Sequence, residues 1–422
     1  MENIFTKDKK KFFSILFDTF IMFLLLAFFL LYNAKGIRIA GGWITTIYLT
    51  FFYFMLRFTN RISHFRKFLF IAGAFCFFPS FIALLIESRG SMALQYKDIF
   101  LNETPFCHIV TPMIIFPYIF EKVLIFPARL TGHFASFYSM LAIIFISILT
   151  LGRGWCSWVC FYGGWDESFS LISKKPLIKL EDKEKKVRFF NFVILFVVML
   201  GSLATFSVIF CQWLCPWKLI TEYEPIINAS TFFAFITSVL IFSTTVIAFS
   251  FLTKKRVQCM SFCPFGALIS ILNKISLFKV KIDKDKCTGC GKCADSCSVM
   301  SIDENSITKN KEKDFNIFLT CTKCGNCIEK CPAKAIDYDF SFSKLFQTNM
   351  DFKYISIFNS SQKPAGGNIT KNNVAKVSQG KIANSLILFS GWLLGSIVMG
   401  GFMVDTVSRI LNLIIKGSFF IR

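Results

Sequence analysis

The sequence predicts an α-helical polytopic membrane protein with about six to seven transmembrane helices and a small α+β domain in its C-terminal half. Two observations support this fold class. The chain of 422 residues is 54% hydrophobic and contains 55 phenylalanines, and its long apolar runs have the length that a bilayer crossing needs. Its 16 cysteines fall mostly into closely spaced groups, and the densest group lies between the last two apolar runs.

Seven apolar segments are predicted to cross the membrane, because each approaches or exceeds the length of a transmembrane helix. They are 12–32, 43–58, 68–87, 135–151, 189–210, 231–252 and 385–404. The second is the weakest, since it is short and rich in threonine and tyrosine. The stretch 113–126 is interrupted by Pro117 and Glu121, so we expect an interfacial or re-entrant segment there. The first span lacks a cleavage site of small residues, which indicates a retained anchor.

The net charge of +21 follows the predicted topology. Basic residues cluster before the first span, after the second, in the 152–188 loop and after the sixth, whereas the 211–230 loop has only Lys218. Lysine and arginine are enriched in cytoplasmic loops. We therefore expect a multi-pass protein of the cell inner (cytoplasmic) membrane, with its N-terminus and its cysteine-rich domain in the cytoplasm. The charge needs no nucleic-acid partner.

The strongest motif is a C-x2-C-x2-C-x3-C run that occurs twice. In this spacing three thiolates bind one iron–sulfur cube, and the fourth cysteine of each run binds the other cube. The sequence therefore predicts a bacterial-type ferredoxin domain with two [4Fe–4S] clusters. The expected ligands are Cys287, Cys290, Cys293 and Cys331 for cluster 1, and Cys321, Cys324, Cys327 and Cys297 for cluster 2. Ser298 stands where the bacterial pattern has proline, a position that binds no iron.

Two C-x3-C pairs predict a third cluster. They are Cys156 with Cys160 after the fourth span, and Cys259 with Cys263 after the sixth. Both pairs are expected at cytoplasmic helix ends, where four thiols would suffice for one cluster. The alternative is that these cysteines are buried small apolar residues.

A third C-x3-C pair, Cys211 and Cys215, follows the fifth span, and Cys107 and His108 lie in a loop assigned to the same outer face. These four residues allow three interpretations. They form a third metal or cluster site on the outer face, or Cys211 and Cys215 form a disulfide. In the third interpretation the fifth span is re-entrant and all three pairs share one side. Cys76 is expected to serve core packing.

The segments GRGWCSWVC and QCMSFCPFGAL, followed by the double cysteine run, resemble the NapH-type membrane polyferredoxins over roughly 135–340. Related groups are accessory proteins of nitrous-oxide reductase and ferredoxin-like factors of cytochrome oxidase maturation. Phe161 stands where the family usually has proline. The resemblance implies a membrane electron-transfer protein. Its redox partners would be a quinol-linked or soluble donor and an oxidoreductase or maturation acceptor.

Five regions are predicted along the chain. They are the N-terminal helices and outer loop (1–134), a transmembrane region with the C-x3-C motifs (135–279), the ferredoxin domain (280–340), a flexible linker (341–384), and a last helix with its tail (385–422). The last helix carries Gly391, Gly395 and Gly400 at spacings that allow close packing, and packing within the chain is the preferred interpretation over dimerisation.

The predicted function is a relay of single electrons, by an electron carrier rather than a stand-alone catalyst. No P-loop and no c-type haem motif occurs in the sequence. Few carboxylates lie within the spans, which argues against a pump. The main alternative is a metallocentre maturation factor or copper reductase that uses the ferredoxin clusters as its electron source, with copper at Cys107, His108, Cys211 and Cys215. A redox-sensing regulator is a third interpretation.

Overall fold

The computed structural model describes residues 2–32, 34–91, 107–125, 137–180, 184–218, 220–221, 225–302, 317–340 and 371–421. Seven helices within these ranges are long and apolar enough to cross a membrane, judged by length and composition. They are Phe12–Leu31, Ile37–Thr59, Ile62–Glu87, Leu141–Trp158, Lys186–Thr205, Ala229–Thr253 and Ile382–Lys416. Each overlaps one predicted span.

The elements are labelled in chain order. The long helices of the N-terminal half are α1 (Glu2–Leu31), α2 (Ile37–Thr59) and α3 (Ile62–Arg89), followed by α4 (Thr111–Glu121), α5 (Phe137–Leu151), α6 (Trp155–Trp158) and α7 (Phe161–Ile172). Next come α8 (Phe190–Thr205), α9 (Ala229–Ile241), α10 (Phe249–Thr253) and α11 (Pro264–Leu272). The remaining elements are β1 (Phe278–Ile282), α12 (Lys292–Asp295), α13 (Asn326–Lys330), β2 (Ile336–Phe340) and α14 (Lys371–Lys416).

The last helix starts earlier than the sequence suggested. Helix α14 begins at Lys371, inside the predicted linker 341–384, and residues 341–370 of that linker lie outside the described residues. The helix packs against α2 and α3. A Cβ at Gly391 would lie 2.9 Å from the Trp158 ring, and one at Gly395 would overlap the Trp158 carbonyl oxygen. These glycines therefore admit a tryptophan of the same chain, as the preferred interpretation of their spacing predicted.

The ferredoxin domain is small and two-layered. Strands β1 and β2 pair antiparallel, with Phe278 opposite Phe340 and Ile282 opposite Ile336. The short helices α12 and α13 pack together beside them. Alternation along a strand sends one set of side chains inward, and Ile282 and Ile336 accordingly join Val299 in an apolar core that also contains cysteines of both runs.

The helices are oriented by contacts at their two ends. Ser63, at the start of α3, donates its backbone N–H to Glu329 of the ferredoxin domain, whereas the other end of α3 carries Glu87, which pairs with Arg409 of α14 at 2.6 Å. Lys255, just after α10, donates to the carbonyl of Cys297. The ferredoxin domain thus lies at one end of the bundle, where the loops after α2 and α10 also lie.

Candidate iron–sulfur sites

Two cavities in the ferredoxin domain are lined by the cysteines that the sequence assigned to two clusters. The first encloses about 320 Å³, part of it open to solvent, and is lined by Cys287, Cys290, Cys293 and Cys331 among other residues. The second encloses about 350 Å³ and is lined by Cys297, Cys321, Cys324 and Cys327. Each cavity combines three cysteines of one run with the last cysteine of the other run. This arrangement fits the cross-over of ligands that characterises two-cluster ferredoxins.

The two cysteine loops have the same local geometry because a glycine stands two residues before the third cysteine of each. Gly291 has φ +71° and Gly325 has φ +81°, a conformation that residues with a side chain rarely adopt. Backbone N–H groups also point at sulfur atoms. Ser301 donates to Cys297 Sγ at 3.2 Å and Ala335 donates to Cys331 Sγ at 3.3 Å. Such donors stabilise thiolates and tune the potential of a bound cluster.

The two cavities differ in their exposure. Cys290 is exposed, and the backbone N–H of Lys292 holds the pKa of its thiol below the usual value. Burial instead raises the pKa of Cys321 to about 12. A buried thiol of this kind is protonated at neutral pH until iron binds and displaces the proton. The cavity of Cys290 therefore faces solvent, whereas the cavity of Cys321 faces the membrane domain.

Buried polar contacts hold the loop that lines the cavity of Cys321 against the membrane domain. Arg66 of α3 donates to the carbonyl of Cys324 at 3.2 Å and to the carbonyl of Ser157 at 2.6 Å. Trp158 Nε1 donates to the carbonyl of Lys323 at 3.1 Å. Lys323 Nζ in turn donates to the carbonyl of Leu151 at 2.8 Å. Burial lowers the pKa of Lys323 to about 7.

The predicted pairs Cys156 with Cys160 and Cys259 with Cys263 meet at the ferredoxin end of the bundle. Cys259 interacts electrostatically with both Cys156 and Cys160, and Cys263 interacts with Cys156. Cys160 and Cys263 each precede a helix and accept a hydrogen bond of 3.4 Å from Gly163 and Gly266. We name the four cysteines the inner membrane site.

Buried positive charge surrounds the inner membrane site. Arg256 Nη2 lies 3.3 Å from Cys259 Sγ and 2.6 Å from the carbonyl of Cys156. Arg153 is fully buried and interacts electrostatically with Cys156, Cys259 and Cys263. Its Nε and Nη1 have no hydrogen-bond partner among the described residues. A buried cation needs a counter-charge, and the net negative charge of four thiolates around a cluster would supply one. The site therefore fits an iron–sulfur cluster.

A carboxylate pair completes this arrangement. Asp166 Oδ2 accepts the backbone N–H of Cys259 at 2.9 Å, and its Oδ1 accepts the hydroxyl of Ser250 at 2.6 Å. Glu167 pairs with Arg66 at 2.5 Å and lies 3.9 Å from Arg256. These contacts orient the second cysteine pair and the two arginines. Within the described residues, no three His, Cys, Asp or Glu side chains are grouped so as to hold a single metal ion.

Cys107, His108 and Cys215 adjoin the inner membrane site, and Cys211 lies in the turn Phe210–Leu214 that precedes Cys215. His108 Nε2 lies 3.2 Å from Cys160 Sγ, and Cys107 Sγ lies 3.6 Å from the hydroxyl of Tyr162. Cys215 interacts electrostatically with Cys107 and with Cys263. These contacts place Cys107, His108 and Cys215 beside the cysteines of the first two pairs, and the three interpretations of this set stay predictions. The four residues therefore do not form one group. His108 contacts Cys160 of the inner membrane site, whereas Cys107 interacts with Cys215.

Several functional side chains were missed by the sequence argument. Arg153 and Arg256 each stand three residues before a C-x3-C pair, in GRGWC and RVQC, and this repeated spacing is the signal that could have found them. Trp158 lies between the cysteines of the first pair and Lys323 lies between cysteines of the second ferredoxin run. Nothing in the sequence indicates that these two residues meet.

Two family models of 4Fe-4S domains match this chain. A family described as a 4Fe-4S dicluster domain matches residues 279–332. A second family, described as a 4Fe-4S binding domain, matches three times, at residues 133–179, 187–223 and 235–284. Each of these three matches contains one C-x3-C pair. The chain therefore carries 4Fe–4S ferredoxin-type domains joined to helices that are apolar and long enough to span a membrane.

Curated relatives are distant and match only in part. The chain is 27% identical over 170 residues to the “Putative electron transport protein YccM” of Escherichia coli, an alignment that covers 39% of this chain and 46% of that protein. It is 25% identical over 152 residues to the uncharacterized protein MJ0749 of Methanocaldococcus jannaschii, covering 35% and 51%. It is 27% identical over 175 residues to MJ0750 of the same organism, covering 40% and 68%.

The chain thus spans about half the length of the first two of these relatives. No solved structure matches it. The domains and the relative from Escherichia coli together indicate iron–sulfur electron transport.

Proposed function

We propose that this protein relays single electrons between a cytoplasmic ferredoxin domain and the interior of the membrane, in the manner of the NapH-type polyferredoxins. The main support is the direct contact between two predicted ligand loops. Ser157 and Trp158 lie between the ligands Cys156 and Cys160, and they contact the loop of Cys324 through Arg66 and the Lys323 carbonyl. Two electron carriers held by these loops would be neighbours.

The chain's own residues supply the binding and the electrostatics. A bound [4Fe–4S] cluster supplies a one-electron carrier. The eight ferredoxin cysteines would hold two clusters, and Cys156, Cys160, Cys259 and Cys263 a third. Arg153 and Arg256 offset the negative charge of the third site. Cysteines of both runs lie in one apolar core, and apolar surroundings strengthen every electrostatic effect on a bound cluster.

The different exposure of the two ferredoxin cavities indicates the order of the sites along the proposed electron route. The cavity of Cys290 lies at the surface, where a soluble redox partner can dock. The cavity of Cys324 lies against α3 and Trp158, and the inner membrane site follows it. A quinol-linked or soluble donor and an oxidoreductase or maturation acceptor would then exchange electrons at the two ends of this route.

The proposed location is the inner (cytoplasmic) membrane, with the ferredoxin domain in the cytoplasm. Arg57 at the end of α2 and Lys255 just after α10 lie at the same end of the bundle as the ferredoxin domain, and so does Arg66 near the start of α3. The positive-inside rule assigns such an end to the cytoplasm.

The test uses anaerobically purified protein in detergent. Iron and acid-labile sulfide are measured per chain, and the reduced protein is examined by EPR. A water-soluble quinone analogue is then added after reduction by dithionite and removal of the excess. We expect at least about twelve irons, four per cube, and rapid oxidation of the protein by the quinone analogue.

A double variant separates the relay from the ferredoxin domain. Cys156→Ala with Cys160→Ala should retain both ferredoxin EPR signals and lose most of the quinone reduction, and Cys76→Ala serves as the matched control for an apolar cysteine in α3. Equal rates of quinone reduction in the double variant and the control would contradict the relay. Reduction of copper(II) in place of the quinone, with about eight irons per chain, would favour a metal reductase instead.

A further inference from the structure

The third C-x3-C pair has the same backbone geometry as a predicted cluster-binding pair. Cys211 is the second residue of a π-helical turn, Phe210–Leu214, and Cys259 is the second residue of another, Gln258–Phe262. The cysteine that follows each turn is extended and precedes a proline. Cys215 has φ −73° and ψ 114°, and Cys263 has φ −77° and ψ 116°.

The same conformation recurs at a cysteine of the ferredoxin domain. Cys331, which lines the first ferredoxin cavity and precedes Pro332, has φ −75° and ψ 110°. Two of these extended cysteines also accept a backbone N–H at sulfur, Cys263 from Gly266 and Cys331 from Ala335. Cys215 therefore shares its backbone conformation with cysteines at the other sites.

A third thiol, that of Cys107, lies beside Cys215. Cys107 interacts electrostatically with Cys215, and its sulfur lies 3.6 Å from the hydroxyl of Tyr162. Tyr162 also interacts electrostatically with Cys215. The wall of this group is aromatic, because Trp217 stacks on Tyr162 at 4.8 Å and meets Phe242 at 5.1 Å.

The depth of this group follows from its contact with α9. The carbonyl of Cys215 accepts the hydroxyl of Ser238 at 2.7 Å. Ser238 is nine residues from the start of α9 at Ala229, which is about 14 Å at 1.5 Å per residue. A bilayer core is about 30 Å thick. Cys215 thus lies near the middle of the membrane domain.

The inner membrane site lies toward the ferredoxin end of the same span. Asp166, which accepts the N–H of Cys259, also accepts the hydroxyl of Ser250. Ser250 is twelve residues beyond Ser238, in the direction of the ferredoxin end. The thiols of Cys259, Cys263 and Cys215 therefore form a series that runs from the ferredoxin end toward the middle of the bundle.

We propose that Cys107, Cys211 and Cys215 form a second iron–sulfur site in the membrane domain, with the Tyr162 hydroxyl at the position of the fourth ligand. This mid-membrane site extends the proposed relay and rests on it. Cys107 is adjacent in sequence to His108, whose Nε2 contacts Cys160 of the inner membrane site. The two membrane sites are therefore connected through these two neighbouring residues. A three-thiolate site with an oxygen neighbour takes an iron–sulfur cluster of three or four irons.

The first test uses the wild-type chain, so that it does not depend on the folding of a variant. Protein enriched in ⁵⁷Fe and purified anaerobically is analysed for iron, sulfide and copper and by Mössbauer spectroscopy. Four sites predict about fifteen or sixteen irons per chain. About twelve irons would leave the proposed relay intact and overturn the mid-membrane site. About eight irons would contradict both proposals.

The second test asks which cysteines hold the additional iron. Cys211→Ala with Cys215→Ala should lose about three or four irons and one EPR species, and should keep the species that Cys156→Ala with Cys160→Ala abolishes. The control is Cys76→Ala, which should lose none. Tyr162→Phe should alter the EPR signal of the species lost in the first variant and leave the ferredoxin signals unchanged.

Other results would overturn the proposal. Loss of the same EPR species in both double variants would mean one shared membrane site. Copper at about one per chain, lost in Cys211→Ala with Cys215→Ala, would mean a site for a single soft metal ion. A disulfide between Cys211 and Cys215, detected by mass spectrometry of alkylated peptides from the iron-loaded protein, would exclude iron ligation by this pair.

Discussion

Trp158 Nε1 donates a hydrogen bond to the carbonyl oxygen of Lys323 at 3.1 Å, and this bond joins two ligand loops that are far apart in sequence. Trp158 lies between Cys156 and Cys160, and Lys323 lies between Cys321 and Cys324. The hydroxyl of Tyr338 donates to the same carbonyl at 2.8 Å. The membrane domain and the ferredoxin domain therefore meet at a buried polar contact.

Replacing Trp158 should slow electron transfer across this interface. Trp158→Phe keeps an aromatic ring and removes a hydrogen bond with a net contribution of about 0.5–1.5 kcal/mol, and Trp158→Leu also removes the ring. We expect slower oxidation of the ferredoxin clusters by the quinone analogue in stopped-flow absorbance, with Leu slower than Phe.

Trp392 provides a matched control for this prediction. It is fully buried, and its Nε1 has no hydrogen-bond partner among the described residues. Trp392→Phe should leave the transfer rate close to that of the wild type. Equal slowing in the Trp158 and Trp392 variants would indicate a general loss of packing rather than loss of this contact.

Removal of Arg66 should destabilise the docked ferredoxin domain. Arg66 is fully buried and pairs with Glu167, which is also buried. Removing one partner of a buried pair costs up to about 3–5 kcal/mol, and Glu167 would keep only the more distant Arg256, at 3.9 Å. Arg66→Met should therefore lower the free energy of unfolding in detergent by that order and promote loss of the ferredoxin clusters on heating.

An exposed ion pair tests whether burial is the cause. Lys281 and Asp339 pair at 3.6 Å with side chains 68% and 43% exposed, and such pairs contribute about 0–1 kcal/mol. Lys281→Met should hardly change the unfolding curve. A similar shift for Arg66→Met and Lys281→Met would contradict the structural role of the buried pair.

The packing of α14 can be tested with two glycines of the same helix. Gly395 leaves no room for a Cβ beside the Trp158 carbonyl, whereas nothing lies within 4 Å of a Cβ at Gly401. Gly395→Ala should destabilise the protein by about 1–3 kcal/mol through overpacking. Gly401→Ala should be neutral or stabilising by up to about 1 kcal/mol, because alanine favours a helix over glycine. Detergent unfolding curves of the two variants give the comparison, and the opposite order would show that α14 packs differently.

The crossed ligand assignment makes an unusual prediction for Cys331. Although it belongs to the second run, Cys331 lines the cavity of Cys287, Cys290 and Cys293. Cys331→Ala should alter the same EPR signal as Cys290→Ala, and Cys297→Ala should alter the signal that Cys324→Ala alters. Grouping of the signals by run instead of by cavity would refute the assignment.

His108 should tune the potential of the inner membrane site. A thiolate can only accept a hydrogen bond, so the contact with Cys160 requires His108 Nε2 to carry the proton. Loss of a donor disfavours the more negative, reduced state of a bound cluster. If His108→Phe removes about 1 kcal/mol of this stabilisation, the midpoint potential falls by about 40 mV. EPR-monitored redox titration measures the shift, and His64→Phe, at an exposed position, should cause none.

Much of the fold could be predicted from local patterns. The apolar runs predicted each of the seven membrane-compatible helices, because length and composition are sufficient to identify such a helix. The spacing of the ferredoxin cysteines likewise predicted which four line each cavity. Both signals are contained within short stretches of sequence.

The placement of Cys107 and His108 could not be derived in this way. The turn before α4 brings His108 against Phe265 and Cys160, which are distant in sequence. Tertiary packing decides such contacts, and the expected outer face of this loop stays a prediction. The contacts of Arg66 with Glu167 and of Trp158 with Lys323 also join residues that are far apart in sequence, so no local pattern predicts them.

The position of α14 has a consequence for the order in which the protein is completed. A chain is synthesised from its N-terminus, so both cysteine runs emerge before the helix that packs Gly391 and Gly395 against Trp158. Until that helix inserts, the side of Trp158 opposite the ferredoxin loop is uncovered. The final helix therefore closes the interface last, after every cysteine of the chain has been made and can receive iron.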